Sequence, residues 1–381
     1  MSEYEYIITI NSGLGQISAS EVKGITGRDV EIEDNILRLK GTEEDGYKLI
    51  LWGRTIHRVL LLIDEGEFTD LDELGRRVGK IDFKPYFKRG LRFALKTNRY
   101  GEHDFTSLDV NRVIGGVINR KLRLQDLDPI VDLDNPDIQF IMRVINDKYM
   151  LTINLVGESL HVRGYRRYNH PAAIKTSIAA AMVLLSNWDN EDFIDPMAGG
   201  GTIPIEAALY KYRYAPGLYR KTHPIINIPV FSPELYYNYR ENAEESKLDN
   251  LDINILYNDI SRKYMDGAII NASSAGVDKF IQFLNFDARY LHKYHIPLRE
   301  GFITVFNPPY GIRMTRDRAI PSLYRDVVNT LVNLGCKRII TITAAWRSMV
   351  DAFEYSNVKL VRRIQVKHGQ LDTFILDGVI S

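Results

Sequence analysis

Apolar and polar residues alternate in short runs through the first 160 residues of the chain. YIITI and EIEDNILRL keep a period of two, as half-buried strands do, and a helical spacing covers Asp45 to Val59. LRFALKT, FIMRVI and MLTINLV read as further strands. Ser107 to Lys121 has helical spacing, with Ser107 as its cap. The mixture predicts small α+β units. At Ser159 the pattern changes. SLHVRGYRRYNH is basic and aromatic, and Pro171 then opens PAAIKTSIAAAMVLLSNW. Ala, Leu and Met favour a helix there, and proline suits its first turn. From Phe193 the runs FID, INILYND, FIQFLNFD, FITVFN, RIITIT and FILDGVI alternate with helical stretches. That alternation predicts a parallel, doubly wound sheet, whose ligands bind beyond the carboxyl ends of the strands.

Composition narrows the classes. The chain has 381 residues, more than one ordinary core, so two or three domains are expected. No run approaches 18 apolar residues, so no membrane span is expected. The N-terminus MSEYEYIITI has no secretory pattern. The single Cys336 excludes an intramolecular disulfide and argues against a thiolate metal site. A cytoplasmic protein without a metal is the expectation. The formal net charge is zero, but its distribution is uneven. Residues 1–75 carry 7 Lys and Arg against 16 Asp and Glu, whereas residues 76–123 carry 13 against 4. The basic block holds Lys84, Lys88, Arg89, Arg92, Lys96 and Arg99, with Tyr86, Phe87 and Tyr100 interleaved. Cations neutralise phosphates and aromatics stack on unpaired bases, so this is a candidate RNA face. A solvated surface facing its acidic neighbour is the alternative.

Three strand ends carry candidate chemistry. FIDPMAGGGT, from Phe193 to Thr202, ends a strand at Asp195 and leads three glycines into a helix. A ligand can approach a backbone that lacks Cβ atoms. The spacing fits neither a dinucleotide fingerprint nor a phosphate loop. A plain turn is the alternative, and it would need one glycine rather than three. Asp259, in LYNDIS, closes the next strand, where a carboxylate can accept from a ribose diol or merely cap a helix. Asp287, in NFDA, is placed to meet an adenine amino group or to sit at the surface.

VFNPPYGIRM poses the sharpest question, because an amide, two prolines and a tyrosine stand where a strand should end. An amino group conjugated to a base is a poor nucleophile, since its lone pair is delocalised into the ring. Acceptors that hold its N–H bonds can turn that lone pair toward an electrophile. The Asn307 side-chain oxygen and the Pro308 carbonyl offer two acceptors close together. Pro308 and Pro309 fix φ and remove competing donors. Tyr310 can stack on the base, and Gly311 lets the chain turn sharply. Catalysis of this kind is positioning plus electrostatics. A proline-rich turn after a buried strand is the alternative.

NPPYG together with DPMAGGGT resembles the S-adenosylmethionine-dependent methyltransferases that act on exocyclic amino nitrogens. GRTIHRV, YGEHDFTS, VDLDNPD and SLHVRGYRRYNHP resemble the THUMP-containing RNA guanine-N2 methyltransferases, in that family's order over essentially the whole chain. The resemblance implies an α/β protein with a Rossmann-like class I S-adenosylmethionine methyltransferase domain, preceded by α+β ferredoxin-like and THUMP domains. Residues 1–60 would be the ferredoxin-like domain and 61–158 the THUMP RNA-binding domain. Residues 159–185 would be a linker and leading helix, and 186–381 the methyltransferase domain. IPSLYRDVV and VKHGQL resemble the archaeal enzymes that make N2-methylguanosine at position 6 of tRNA. EAALYKYRYAPGLYR and the insert before Asp259 also resemble bacterial enzymes that modify large-subunit rRNA.

Residue by residue, the resemblance implies that Asp195, Pro196, Gly199 and Gly201 cradle the methionine part of the cofactor, with Met197 and Thr202 beside them. Asp259 would hold the ribose and Asp287 the adenine. Asn307, Pro308, Pro309 and Tyr310 would be the catalytic tetrad, with Asn307 also against the cofactor. The family usually carries Cys-Gly-Ser-Gly where this chain has Ala198 to Gly201. Neither lost side chain performs chemistry there, but their loss is expected to loosen the loop. Cys336 is read as structural, because an exocyclic nitrogen needs no cysteine nucleophile. THUMP would grip the single-stranded 3′ end of tRNA and so fix which nucleotide reaches the pocket. His103 matches a THUMP position and is a candidate RNA contact, or a hydrogen-bonded loop histidine. Arg163, Arg166 and Arg167 at the junction are candidate backbone clamps. Tyr210, Tyr212, Tyr214, Tyr219, Tyr236, Tyr237 and Tyr239 line the base pocket or pack the insert on the sheet. The expected partner is RNA, and the expected state a monomer. An rRNA substrate, a non-catalytic RNA-binding protein with a vestigial fold, and a DNA or protein methyltransferase are the rival readings.

Overall fold

The computed structural model describes residues 2–294, 296–310, 319–369 and 371–380. Gly311 lies outside them. The N-terminal part is built on one eight-stranded sheet. Its strands are β1 (Tyr4–Ile10), β2 (Glu31–Glu33), β3 (Ile36–Gly41), β4 (Ile56–Glu67), β5 (Arg92–Tyr100), β6 (Ile130–Val131), β7 (Ile138–Ile145) and β8 (Lys148–Asn154), in the order β2-β3-β1-β4-β8-β7-β5-β6. β4 pairs antiparallel with β1 on one side and β8 on the other. The boundary expected at 60/61 therefore falls inside a strand that belongs to both halves.

Helices α1 (Gly15–Thr26), α2 (Glu43–Trp52), α3 (Leu71–Val78) and α4 (Ser107–Leu124) cover one face of this sheet. Alternate strand residues such as Tyr6, Ile8, Leu61, Phe93, Leu95, Phe140 and Leu151 bury against them. Two expected limits shift. The helix expected from Asp45 to Val59 stops at Trp52, and Val59 lies in β4. The cap of α4 is Thr106 rather than Ser107: its hydroxyl accepts from the Asp109 N–H while Asp109 accepts from the Thr106 N–H, a reciprocal capping box.

The C-terminal part has a seven-stranded sheet of β9 (Phe193–Asp195), β10 (Ile255–Asn258), β11 (Ile281–Leu284), β12 (Ile303–Phe306), β13 (Arg338–Thr343), β14 (Lys359–His368) and β15 (Leu371–Val379). The order is β11-β10-β9-β12-β13-β15-β14. The first five strands are parallel, but β15 runs antiparallel to both β13 and β14, so the sheet is mixed rather than wholly parallel. Helices α5 (Thr176–Leu185), α6 (Thr202–Lys211) and α8 (Arg262–Ala275) cover one face, onto which Phe193, Tyr257, Val305 and Ile340 point. Helices α9 (Ile320–Asn333) and α10 (Trp346–Tyr355) cover the other, with Ile194, Leu256, Phe306 and Ile339. Burial on both faces explains the continuous apolar strands. The expected helix from Pro171 begins only at Thr176, because residues 167–175 form a strap across the carboxyl edge.

The two parts are locked together. The insert between α6 and β10 carries α7 (Pro233–Glu245), and its Ile225, Ile228, Phe231 and Tyr236 join the N-terminal core. The hydroxyls of Tyr4 and Tyr47 donate to the Val230 and Ser232 carbonyls at 3.0 and 2.9 Å. Tyr239 donates to Glu44 at 2.7 Å. Tyr212 stacks on Phe280 with ring centres 3.5 Å apart, and Tyr219 donates to the Ala275 carbonyl. Tyr214 packs edge-on against Phe280, and Arg54 lies over the Tyr210 ring. Of the seven tyrosines expected at the base pocket, Tyr210 lies at the end of α6 and the other six lie in the insert, where Tyr237 stands out as exposed. They pack the insert; the base-pocket reading is corrected.

Candidate active site

β9 and β12 lie side by side, with Phe193 opposite Ile303 and Ile194 opposite Thr304. Parallel pairing in register delivers Asp195 and Asn307 to the same carboxyl edge. The glycine loop follows Asp195 and turns through positive φ at Gly199 and Gly201, 51° and 79°, into α6. A Cβ on Gly201 would stand 2.9 Å from the Ala268 Cβ. One on Gly200 would stand 2.9 Å from the Cβ of His170, so this chain has no room for the family's usual serine.

The loop is not loose, contrary to expectation. The Gly199 N–H donates to Asp259 Oδ2 at 2.8 Å, and the Gly199 carbonyl accepts from the Tyr257 hydroxyl at 2.8 Å. Asn271 Nδ2 donates to the Gly200 carbonyl at 3.0 Å. Asn258 Nδ2 holds the Pro196 carbonyl at 2.9 Å, and the Met197 N–H donates to Asp195 Oδ1 at 3.1 Å. Asp195 is 1% exposed, and burial pushes its carboxyl well above the usual range, with Asp259 adding to the shift. Asp259 caps the edge with both oxygens engaged on backbone N–H groups, Gly199 and Ser261. Thr202 accepts from Arg166 at 3.0 Å. Asp287 holds Arg289 of its own turn in a two-oxygen ion pair, 2.6 Å at its shortest, which keeps its carboxyl below the usual range.

The strap links the loop to the Asn307 peptide, and sequence reasoning did not foresee it. Asn271, buried in α8, accepts from the Arg167 and Tyr168 N–H groups at 2.8 Å each. The same side chain thus ties strap to loop. The His170 ring lies against Gly199 and Gly200 and packs edge-on to Tyr264 at 4.3 Å. Its Nδ1 accepts from the Ala172 N–H, and its buried Nε2 has no partner among the described residues. The Ala172 carbonyl faces Asn307 Nδ2 at 3.5 Å.

Within the tetrad, Pro308 is buried, Pro309 exposed, and Asn307 and Tyr310 half-buried. The Tyr310 hydroxyl donates to Asn307 Oδ1 at 2.5 Å, orienting the amide; burial pushes that hydroxyl's pKa up. The Pro309 carbonyl is taken by a residue not singled out from sequence. Tyr324, 1% exposed in α9, donates to it at 2.8 Å and in turn meets Thr343 Oγ1 at 2.8 Å. Asn307 Oδ1 keeps a second lone pair beside the Tyr310 bond, and the Pro308 carbonyl has no donor among the described residues, so these two are the acceptors left at the tip. Cys336 is buried beside Thr304 with its thiol pushed up to about 11, which suits packing and not nucleophilic attack.

The candidate RNA residues divide. Lys84, Lys88 and Lys96 are exposed and without a carboxylate partner among the described residues. Arg89 pairs with Asp128 at the surface, and Arg92 with Asp137. Arg99 donates to His103, whose other nitrogen meets the Asn146 carbonyl, so His103 is a hydrogen-bonded loop residue. Arg163 is corrected outright. Its side chain is 1% exposed, paired with the fully buried Glu206 at 3.3 Å, and bonded to the Leu160 and Arg54 carbonyls. It is a joint of the fold, because breaking a buried pair costs about 3–5 kcal/mol. Arg166 is turned inward to Thr202 and the Ile174 carbonyl, whereas Arg167 is exposed.

Family comparisons agree with this geometry. Residues 163–373 match the RMKL-like methyltransferase domain, 68–154 the THUMP domain and 5–60 the RlmL ferredoxin-like domain. The chain belongs to the RMKL-like methyltransferase family. The tRNA (guanine(6)-N2)-methyltransferase of Methanocaldococcus jannaschii is 35% identical over 97% of this chain and 98% of its own length. The ribosomal RNA large subunit methyltransferase K/L of Syntrophotalea carbinolica is 29% identical over 96% of this chain, which spans 51% of that protein. The crystal structure of a possible methylase from Clostridium difficile 630 superposes with a TM-score of 0.89 at 25% identity, covering 100% of this chain and 99% of that one. Among the described residues no helix is long and apolar enough to cross a membrane.

Proposed function

We propose that this methyltransferase makes N2-methylguanosine in tRNA, at position 6 of the acceptor stem, with S-adenosylmethionine as donor. The carrying observation is the Asn307–Tyr310 peptide held beside the glycine loop on one sheet edge. The tRNA assignment rests on the archaeal relative matched end to end, whereas the K/L relative is about twice as long. We place the enzyme in the cytoplasm as a monomer, with RNA as its partner.

The residues present suit the proposed cofactor. The glycines let His170 and Ala268 pack where Cβ atoms would collide, which brings the His170 ring against the loop at the strand ends. His170 Nδ1 accepts a hydrogen bond, so the neutral ring carries its proton on Nε2, which has no partner among the described residues and is a donor fit for a carboxylate. Asp195 and Asp259 would take the amino and ribose ends. The cofactor supplies a methyl group on a sulfonium. Everything else is done by this chain. Asn307 Oδ1 and the Pro308 carbonyl accept the two N–H bonds of the guanine amino group and so aim its lone pair. Tyr310 fixes Asn307 and flanks the base. A guanine in a paired stem must first unstack, at a cost of a few kcal/mol. Remote contacts to the N-terminal part offset that cost.

The test is incubation with labelled S-adenosylmethionine and acceptor-stem tRNA, followed by nucleoside digestion. Label in N2-methylguanosine is expected, and label in another nucleoside contradicts the reading. The K/L similarity favours one rival, a large-subunit rRNA substrate. Offering both RNAs in competition distinguishes them.

A further inference from the structure

Helices of both parts and of the insert meet around a cleft of about 900 Å³. Its walls come from α1 and α2, from the ends of α5 and α6, and from α7, with Arg362 of β14 at one side. Clefts of this size where domains meet commonly hold small ligands. The wall carries four cations, Lys48, Arg54, Arg213 and Arg362, against one carboxylate, Glu21. Both Glu21 oxygens are already engaged, accepting from the Arg54 and Thr55 N–H groups at 2.8 and 2.9 Å. Arg54 is 5% exposed. Its Nη2 donates to the Leu209 and Tyr214 carbonyls, but its buried Nη1 has no partner among the described residues. A buried donor left unmade is costly, and this one stands in the wall of a cationic cleft. Arg213 and Arg362 are exposed and unpaired among the described residues. Lys48 keeps only a 3.9 Å pair with Glu44. Arg213 also holds a left-handed backbone, φ 55°, and strain of that kind gathers at ligand sites. Trp52 ends α2, packs on Leu51, Ala215 and Ala243, and lines the same cleft.

We propose that this cleft binds a free nucleotide, with its phosphate among Arg54, Arg213 and Arg362 and its base against Trp52. Guanidinium forks suit phosphate oxygens, and an indole face suits a flat base. The site is separate from the catalytic one. α5 and α6 contribute only their C-terminal ends, so the cleft opens at the amino edge of the seven-stranded sheet. Asn307 and the glycine loop stand at the carboxyl edge, and the ten residues of α6, about 15 Å, lie between. An RNA strand engaged at the catalytic edge would have to pass round the molecule to enter, whereas a free nucleotide enters directly. The bound phosphate would satisfy Arg54 Nη1 and neutralise the two unpaired arginines. It would also bridge the N-terminal and methyltransferase parts, because Arg54 belongs to one and Arg213 to the other.

The test is calorimetry on the full chain saturated with S-adenosylhomocysteine, so that the cofactor site is filled. AMP, GMP, UMP, uridine and inorganic phosphate are titrated in turn. At least one of the three nucleotides should bind about tenfold more tightly than uridine or phosphate alone. Arg213→Asn and Arg362→Gln should each weaken that binding about tenfold while leaving S-adenosylhomocysteine affinity unchanged. Both residues are exposed, so these variants report even where Arg54→Met fails to fold. If no nucleotide binds, if phosphate binds as tightly as the nucleotides, or if both exposed variants bind like wild type, the proposal is overturned. Variants that lose affinity for RNA while no nucleotide binds would make the cleft an RNA surface and overturn it as well.

Discussion

The Ala345 amide can only donate and the Pro309 carbonyl can only accept, so the hydroxyls between them have fixed roles. Ala345 N–H donates to Thr343 Oγ1, Thr343 donates to Tyr324, and Tyr324 donates to Pro309. The chain of bonds reaches the catalytic peptide from a helix and a neighbouring strand. Tyr324→Phe removes its last link, worth about 0.5–1.5 kcal/mol. Single-turnover methylation should slow about tenfold, with the cofactor KM unchanged. Thr343→Val should slow it too, Thr343→Ser should not, and the double variant should be no slower than Tyr324→Phe. Additive losses or unchanged rates would contradict a positioning role. Tyr324 stood in plain view in IPSLYRDVV, but its target is 15 residues away across the sheet edge. Asp195, Asn307 and the glycines were legible because strand ends announce themselves. Arg163 was misread because its partner Glu206 lies 43 residues downstream. A cation beside aromatics looks the same in sequence whether it faces water or a buried carboxylate.

At the level of elements, the joint between β4 and α5 carries two histidines held neutral. His57 bonds to Ser177 at 3.0 Å and packs tilted against His161, ring centres 4.9 Å apart, and His161 bonds to Ser159. Burial first, then neighbouring cations including Lys175, Arg58 and Arg163, push His57 down to about 3 and His161 down to about 4. His223, buried against Tyr236 in the insert, is pushed down to about 3. The folded values lie below the unfolded one near 6.5, so the unfolded chain takes protons first as pH falls. Their contribution is whole above about pH 6.5 and drains away between there and about 3. Tm should therefore drop steadily from pH 7 to 5, before ordinary carboxylates titrate. A His57→Gln, His161→Gln protein should show a flatter profile; an unchanged slope would contradict the assignment. The strand β14 escaped the sequence pattern, and its exposed edge explains why. Lys359, Arg362, Arg363 and Lys367 line it, as charges do on edges that must not pair further. The late start of α5 has a different origin. Pro171 lies within the strap beside the glycine loop and does not open the helix.

Across the whole molecule, alternating α/β pattern and the order of motifs made the fold class legible. What the pattern could not convey was fusion. One strand serves both N-terminal halves, and the insert's aromatics complete the N-terminal core instead of the catalytic one. Both features depend on contacts far apart in the chain. They join the N-terminal sheet to the catalytic part through packed side chains and through the Tyr4 and Tyr47 hydrogen bonds to the insert. The decisive measurement compares Asn307→Ala with wild type, by single-turnover methylation and by calorimetry with S-adenosylmethionine. Cofactor affinity should stay within about threefold while methyl transfer falls on the order of a hundred- to a thousandfold. Transfer at near wild-type rate would show that Asn307 does not hold the amino group, and the proposed chemistry would fail.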